Sequence, residues 1–332
     1  MKIIVDAMGG DNAPESAVYG AVLAANEYKR DIILVGDQAR IKPILDKLDD
    51  VSGITVYHAP DMITMEDDPS TAVREKKNAS MTVAMRIMAE GEGDVLISAG
   101  NTGALLSGST LILKRIAGIR RAALSPYIPT RKDSALLIDC GANVECTPEH
   151  LMQFALMGSL YTQHVKGIDR PRVGLLNIGT EPLKGTELYR ETNRLLASSG
   201  LNFVGNVEGH SVINDDVCDI MVCDGFTGNI FLKAIEGIGM FFFREMKNIF
   251  YANPITMLAA LAGKKKISRL RTKADASEIG GSPLLGISRP VIKAHGGSNA
   301  TAVKNAIRQG ISFYDSDTIG HITRALEGTG QS

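Results

Sequence analysis

Short runs of aliphatic and β-branched residues alternate with segments whose apolar positions recur every three or four residues, almost throughout the chain. The runs Ile3–Val5, Ile32–Val35, Ile54–His58, Val95–Ser98, Ala135–Asp139, Val173–Asn177, Asn202–Val204 and Ile220–Cys223 predict strands. Between them, helical spacing predicts helices over Glu15–Tyr28, Ile41–Leu48, Thr82–Glu90, Thr102–Lys114, Pro148–Lys166, Thr186–Ser198, Gly228–Phe250 and Ala300–Tyr314. This alternation predicts parallel strands joined by crossover helices on both faces of a sheet. The expected class is α/β, with a doubly wound, mixed but mostly parallel sheet. Ligands of such sheets sit at the carboxyl ends of the strands.

Those ends can be read directly. Val5 leads into Asp6-Ala7-Met8-Gly9-Gly10-Asp11, Ile97 into Ser98-Ala99-Gly100-Asn101-Thr102-Gly103, and Ile138 into Asp139-Cys140-Gly141-Ala142-Asn143. Leu176 leads into Asn177-Ile178-Gly179-Thr180-Glu181, and Val222 into Cys223-Asp224-Gly225-Phe226-Thr227-Gly228-Asn229. A single glycine-rich turn after a strand is commonplace. Several that converge on one crevice predict a site for an oxyanionic small molecule. In the last of them an acid is followed by a turn on Gly225 and Gly228 and a helix from about Asn229. Backbone N–H groups at a helix start attract anions, and glycines let the chain approach them. An acid and a side-chain amide beside such a turn suit attack by an oxyanion on a carbonyl. The plainer reading is that Asp224 and Thr227 cap the helix while Gly225 shapes the turn.

At 332 residues the chain is longer than the usual domain, which predicts one α/β unit or two lobes sharing a central crevice. Pro148 is placed to start a helix crossing from one lobe to the other. Lys plus Arg number 36 against 37 acids, and there is no tryptophan, so neither charge nor aromatics points to nucleic acid. The four cysteines lack any CxxC spacing and read as small thiols in a reducing compartment; no metal site is expected. No dinucleotide or Walker glycine fingerprint appears, so no cofactor is expected. No Gly-x-Ser-x-Gly elbow surrounds Ser98 or Ser107, which argues against covalent serine catalysis. The start of the chain does not read as a signal peptide, and no apolar run of the ~20 residues that span a bilayer stands out. A cytoplasmic protein is expected.

Two further residues are candidates for chemistry. Lys184 lies between Pro182 and Gly185 on a loop that aims a cation at the crevice, or else it is a solvated lysine. His295 ends a short strand before Gly296-Gly297-Ser298, where it handles an anion or a proton, or merely bonds to backbone.

Taken together, these ordered motifs, with Lys184-Gly185 and Arg289-Pro290-Val291, resemble the PlsX family of bacterial phosphate acyltransferases from residue 3 to about residue 325. The resemblance implies transfer of a fatty acyl group from acyl carrier protein to inorganic phosphate, feeding phospholipid synthesis, by a homodimer. It also implies a fold shared with phosphotransacetylases and the isocitrate/isopropylmalate dehydrogenases. Phosphotransacetylases, the alternative as acyl-CoA:phosphate transferases, continue Pro-Val with Asn-Asp-Leu-Ser-Arg-Gly. Here the continuation is Ile292-Lys293-Ala294-His295-Gly296-Gly297, without that arginine. A decarboxylating dehydrogenase would need substrate-clamping arginines and Mg²⁺-binding aspartates in a pattern this chain does not show. A non-enzymatic membrane scaffold would leave the glycine loops purely structural. Under the acyltransferase reading, Gly9, Gly10, Asp11, Ser98, Gly100, Asn101, Thr102, Asn143, Thr227 and Gly228 bind phosphate or substrate. Backbone N–H groups at Gly9, Gly100 and Gly228 are expected as donors and Lys184 as the positive charge. Asn229 is expected as the oxyanion donor, with His295 or Asp224 managing the proton that reaches the departing thiol.

Charge is unevenly placed. Residues 246–274 hold seven basic residues and no acid. Over 253–273, Ile255, Leu258 and Leu261 share one face of a short helix expected to end at Gly263. Lys264, Lys265, Lys266, Arg269 and Arg271 follow. A short apolar face beside clustered cations predicts a helical, membrane-facing protrusion that holds the protein peripherally on the inner face of an anionic membrane. A solvated charged tip and a landing site for the acidic carrier protein are the alternatives. The helix Gly228–Phe250, with Ile235, Ile238, Met240, Phe241, Phe242 and Phe243, is more apolar than an exposed helix should be, and predicts a two-fold dimer surface.

Overall fold

Lys2-Ile3-Ile4-Val5-Asp6 forms β1 (Lys2–Asp6), buried from Ile3 onward. The computed structural model describes residues 1–257, 260–261, 263, 265–266 and 280–329. β1 lies parallel between β2 (Asp31–Gly36) and β4 (Val95–Ser98), and β3 (Ile54–His58) runs parallel beside β2. β5 (Ala123–Leu124) is the far edge of this sheet; β6 (Tyr127–Pro129) and β7 (Ser134–Ile138) begin a second one. That second sheet continues with β8 (Val173–Leu176), β9 (Phe203–Val207) and β10 (Ile220–Val222) in the order β6-β7-β10-β8-β9, parallel except for β6. The chain then returns to the first sheet through β11 (Ser282–Leu285), antiparallel to β5, and β12 (Val291–Lys293), parallel to β4. The first sheet reads β3-β2-β1-β4-β12-β11-β5. The fold is the expected mixed, mostly parallel α/β architecture.

The helices are α1 (Glu15–Tyr28), α2 (Gln38–Leu45), α3 (Ala72–Glu75), α4 (Ser80–Ala89), α5 (Thr102–Gly108), α6 (Pro148–Lys166), α7 (Glu187–Ala197), α8 (Gly209–Asp215), α9 (Gly225–Phe250), α10 (Ala300–Asp315) and α11 (Thr318–Thr329). Their caps explain where they depart from the hydrophobic pattern. α2 starts before the expected Ile41 because the Asp37 side chain accepts from Ala39 N at 2.9 Å. α5 passes into a π-helical turn over Ser109–Leu113, so one expected helix is two segments. The expected strand Asn202–Val204 is displaced to Phe203–Val207. α9 begins at Gly225, not near Asn229, because Asp224 caps it one turn earlier.

α1 and α10 lie against each other at Gly20, where a Cβ would fall 2.6 Å from Val303 Cβ. The largest buried cluster runs through both sheets: Ile3, Val5, Ile97 and Ile292 of the first share it with Leu136, Ile138, Val173 and Val222 of the second.

α9 stands apart. Of its 26 residues only Gly225 and Gly228 are buried, and Ile238, Met240 and Phe241 are each more than 60% exposed. By length and composition it is long and apolar enough to cross a membrane, one 18-residue stretch of it having a mean hydropathy of 1.2. No unbroken apolar run of spanning length is present, as expected, since Lys233 and Glu236 divide the helix. Arg244, Glu245 and Lys247 charge its C-terminal end. After α9, residues 254–257 are helical, with Ile255 and Leu261 exposed. Gly263, expected to end this helix, is itself helical, as are residues 265–266; lysine is a good helix former and offsets one glycine. Leu258, Lys264, Arg269 and Arg271 lie outside the described residues.

Candidate active site

Strand register assembles the first half of the site. Across β1, β4 and β12, Asp6 stands beside Ser98 and Ser98 beside Lys293, at the carboxyl ends of three neighbouring parallel strands. Asp6 is buried and accepts from Ser80 Oγ at 2.6 Å and from Ser98 Oγ at 2.7 Å. Burial pushes its carboxyl above the ordinary range, while the two hydroxyls and the Lys293 charge pull it back. Ser98 Oγ also accepts from Gly100 N at 3.1 Å, so this hydroxyl links two loops. A Cβ on Gly9 would lie 2.6 Å from Gly100 N, which is why glycine stands where these loops touch. Asp11 N donates to Gly296 O at 2.8 Å and so joins the loop after β12. His295 is exposed on that loop, and its Nδ1 accepts from Gly297 N at 3.1 Å. Asn101 caps α5 through Ala104 N at 3.1 Å, and its amide donates to Thr64 O at 3.2 Å.

Lys293 is buried, and its Nζ donates to Ala99 O at 3.2 Å and to Ala294 O. Burial lowers its pKa to about 8, opposed by the charges of Asp6 and Asp11.

The second half is built on Asp139, at the end of β7. Its oxygens accept from Cys140 N and Asn143 N, both at 2.7 Å, and from Asn143 Nδ2 at 3.0 Å. Burial raises its pKa to about 6 in spite of these donors. The other Asn143 amide hydrogen goes to Ala122 O at 2.8 Å, so this side chain braces the loop. Asp224 caps α9 through Thr227 N at 2.8 Å and accepts from Thr227 Oγ1 at 2.8 Å and Tyr189 O–H at 2.6 Å. A Cβ on Gly228 would fall 2.0 Å from Asp139 O, so only glycine lets α9 start here. Asn229 is exposed one residue on, beside Gly141: a Cβ there would sit 3.4 Å from Asn229 Nδ2. Burial drives the thiols of Cys140 and Cys146 up to about 12 and raises that of Cys223 well above its ordinary value, so they are inert.

The two halves meet. Leu124 N, on β5 of the first sheet, donates to Asp139 Oδ1 at 2.9 Å. A gap of about 10 Å³, room for about one water, is lined by Thr102, Leu105, Leu106, Leu124, Ala142, Leu284 and Lys293 and so joins residues of both sheets. Lys184 stays on the loop after β8, half exposed, its Nζ 4.0 Å from Glu181. One expectation is corrected. The N–H groups of Gly100 and Gly228 are already spent, on Ser98 Oγ and on Asp224 O at 3.0 Å. Among the described residues, no group of three His, Cys, Asp or Glu is arranged to hold a metal ion.

The family model described as "Fatty acid synthesis protein" matches residues 1–320. A phosphate acyltransferase of Acetivibrio thermocellus is 45% identical over 324 residues, 97% of this chain and 95% of that protein. One from Geobacillus thermodenitrificans is 45% identical over 331 residues, 99% of this chain and all of its own length. This chain belongs to the phosphate acyltransferase family. It is therefore an enzyme of acyl transfer involving phosphate. Among solved structures, the EutD phosphotransacetylase from Staphylococcus aureus superposes with a TM-score of 0.62 at 18% identity, covering 95% of this chain and 94% of that one. A phosphotransacetylase from Streptococcus pyogenes gives 0.61 at 18% identity, with 98% and 94% covered. That likeness establishes a common fold.

Reading the sequence singled out the loops and some of the side chains that hold them, Ser98, Asn101, Asn143, Asp224 and Thr227, but not Asp6, Asp139, Lys293, Tyr189 or Ser80. Asp6 and Asp139 each follow an apolar strand directly, a signal that was available. Lys293 was obscured because it closes a three-residue strand, and Tyr189 and Ser80 because they come from helices distant in sequence.

Proposed function

We propose that the protein moves a fatty acyl group from acyl carrier protein to inorganic phosphate, releasing acyl phosphate for phospholipid synthesis. A phosphate oxygen attacks the thioester carbonyl, the C–O bond forms, the C–S bond breaks, and the phosphate proton ends on the departing thiol. The observation that carries this reading is the convergence of both sheets' carboxyl ends: Asp6, Ser98 and Lys293 stand side by side on the first sheet, and Leu124 N ties that sheet to Asp139 of the second. Placement of two reactants in a fixed geometry supplies much of such a rate enhancement. Asn229 donates to the carbonyl oxygen as it becomes an oxyanion, and Lys184 swings from Glu181 to the substrate. Asp224, held by Tyr189 and Thr227, manages the proton, with His295 at the exposed rim.

The carrier protein is favoured over coenzyme A because Ile292-Lys293-Ala294-His295-Gly296-Gly297 offers no arginine to a nucleotide phosphate. Matched assays with one acyl chain on each donor test this: faster turnover with the coenzyme A thioester would sink the carrier assignment.

The exposed apolar side chains of α9 pair it with a second copy, the commonest way to cover such a face. Beyond it, Ile255 and Leu261 with Lys265 and Lys266 rest on an anionic membrane, where each cation contributes about 1 kcal/mol. The protein then works in the cytoplasm at the inner membrane face, where an amphiphilic product is delivered.

A further inference from the structure

Acyl transfer to phosphate puts a dianion against a carbonyl and builds charge on its oxygen, so the site needs positive charge. Asp6, Asp139 and Asp224 are buried there, and each adds negative charge when ionised. The N–H groups of Gly100 and Gly228 are occupied, and Lys184 lies half exposed beside Glu181. Among the described residues, Lys293 is the one lysine or arginine that the fold buries. Register sets it beside Ser98, and it lines the gap with Thr102, Leu105, Leu124 and Ala142. An ammonium has three hydrogens to donate. The carbonyls of Ala99 and Ala294 take two of them and fix the direction of the third.

We propose that Lys293 is a catalytic residue of the acyl-transfer site, its third N–H contacting an oxygen of the phosphate bound where the carboxyl ends of β1, β4 and β12 meet the loop after β7. The inference rests on the acyltransferase reading above and names the cation that reading requires. In buried surroundings that include Leu105 and Leu124, such a contact is far stronger than in water. The groups facing the ammonium are Asp6 on β1, Asp11 on the loop after it and Lys233 on α9. Burial leaves it with a pKa of about 8 in the empty site, so bound phosphate draws it back to the charged form. Phosphate binding just above pH 8 therefore takes up a proton, and kcat/KM for phosphate declines above that pH while kcat holds to higher pH.

Lys293→Met keeps the length of the stem and removes the charge. Its kcat/KM for phosphate is expected to fall by about 10²-fold, the usual scale for one such donor, with loss of the decline above pH 8. Lys293→Arg, which keeps the charge, is expected to recover part of the rate without that decline. A near wild-type rate for Lys293→Met, or a persisting decline near pH 8, overturns the proposal. Should Lys293→Met not fold, calorimetry on the wild-type protein decides, with phosphate binding measured in two buffers of different ionisation enthalpy. Proton uptake supports the role; binding without uptake, or no binding, overturns it. Because this readout needs no turnover, it is separate from a failure to form acyl phosphate, which would count against the acyltransferase reading itself.

Discussion

Replacing Asp224 by alanine removes the cap of α9 and the acceptor of a buried hydroxyl in one step. Asp224 Oδ1 accepts from Thr227 N at 2.8 Å, and Oδ2 accepts from Tyr189 O–H at 2.6 Å. Loss of an N-cap costs about 1 kcal/mol. The Tyr189 hydroxyl is left with Thr227 Oγ1 at 3.4 Å, a poor substitute, and an unsatisfied buried donor costs about 1–3 kcal/mol. The two add to about 2–4 kcal/mol for Asp224→Ala. Asp224→Asn keeps the cap through its amide oxygen but puts an NH₂ where Oδ2 accepts from both hydroxyls, so it should cost less than Asp224→Ala by the cap's share of about 1 kcal/mol. Urea unfolding followed by circular dichroism measures both. If Asp224→Ala is as stable as the wild type, or Asp224→Asn is as damaging as Asp224→Ala, the hydrogen bonds are not what hold this turn. Turnover separates a further role: a proton-handling Asp224 predicts that Asp224→Asn is folded yet slowed by about 10²-fold.

For Asp139, burial raises the folded pKa from 3.8 to about 6, so its contribution to stability is present below the unfolded value and is lost as pH rises through 6. Wild type minus Asp139→Asn should therefore show a stability difference that grows in favour of the wild type as pH falls from 6 towards 4, read from urea midpoints; a flat difference would show that Asp139 does not titrate this way. Asn229→Ala and Lys184→Ala should each lower turnover by about 10²-fold without unfolding the protein, since both side chains are exposed, and a normal rate for Lys184→Ala would leave it a surface lysine. Leu261→Glu should abolish co-sedimentation with anionic liposomes and leave soluble activity intact, while dilute light scattering should still report a dimer; retained lipid binding, or a monomer mass, would refute the respective assignment.

The alternation of strands and helices was legible because parallel strands buried on both faces read as unbroken aliphatic runs, as in β1 and β8. The strands β5, β6 and β11 were not, because Pro126, Pro129 and Pro283 interrupt their short apolar runs, while β12 was read only as a short strand running to His295 and ends two residues earlier, at Lys293. For the turn at Asp224 the plainer reading, a helix cap, is correct as to the bond to Thr227, and it leaves a catalytic role open. Chemistry was least legible where it depends on neighbours. Nothing local to Gly100 says that its N–H meets Ser98, and nothing local to Lys293 says that it is buried next to Asp6. The apolar character of α9 was readable, but its exposure in the single chain is a fact of tertiary structure.

The most direct test supplies the purified protein with a long-chain acyl–carrier thioester and follows thiol release and acyl phosphate formation together, with and without inorganic phosphate. The account predicts that thiol appears only when phosphate is present, in equal amount to acyl phosphate and with no nucleotide added. Thiol release at the same rate without phosphate, yielding free fatty acid, would contradict it.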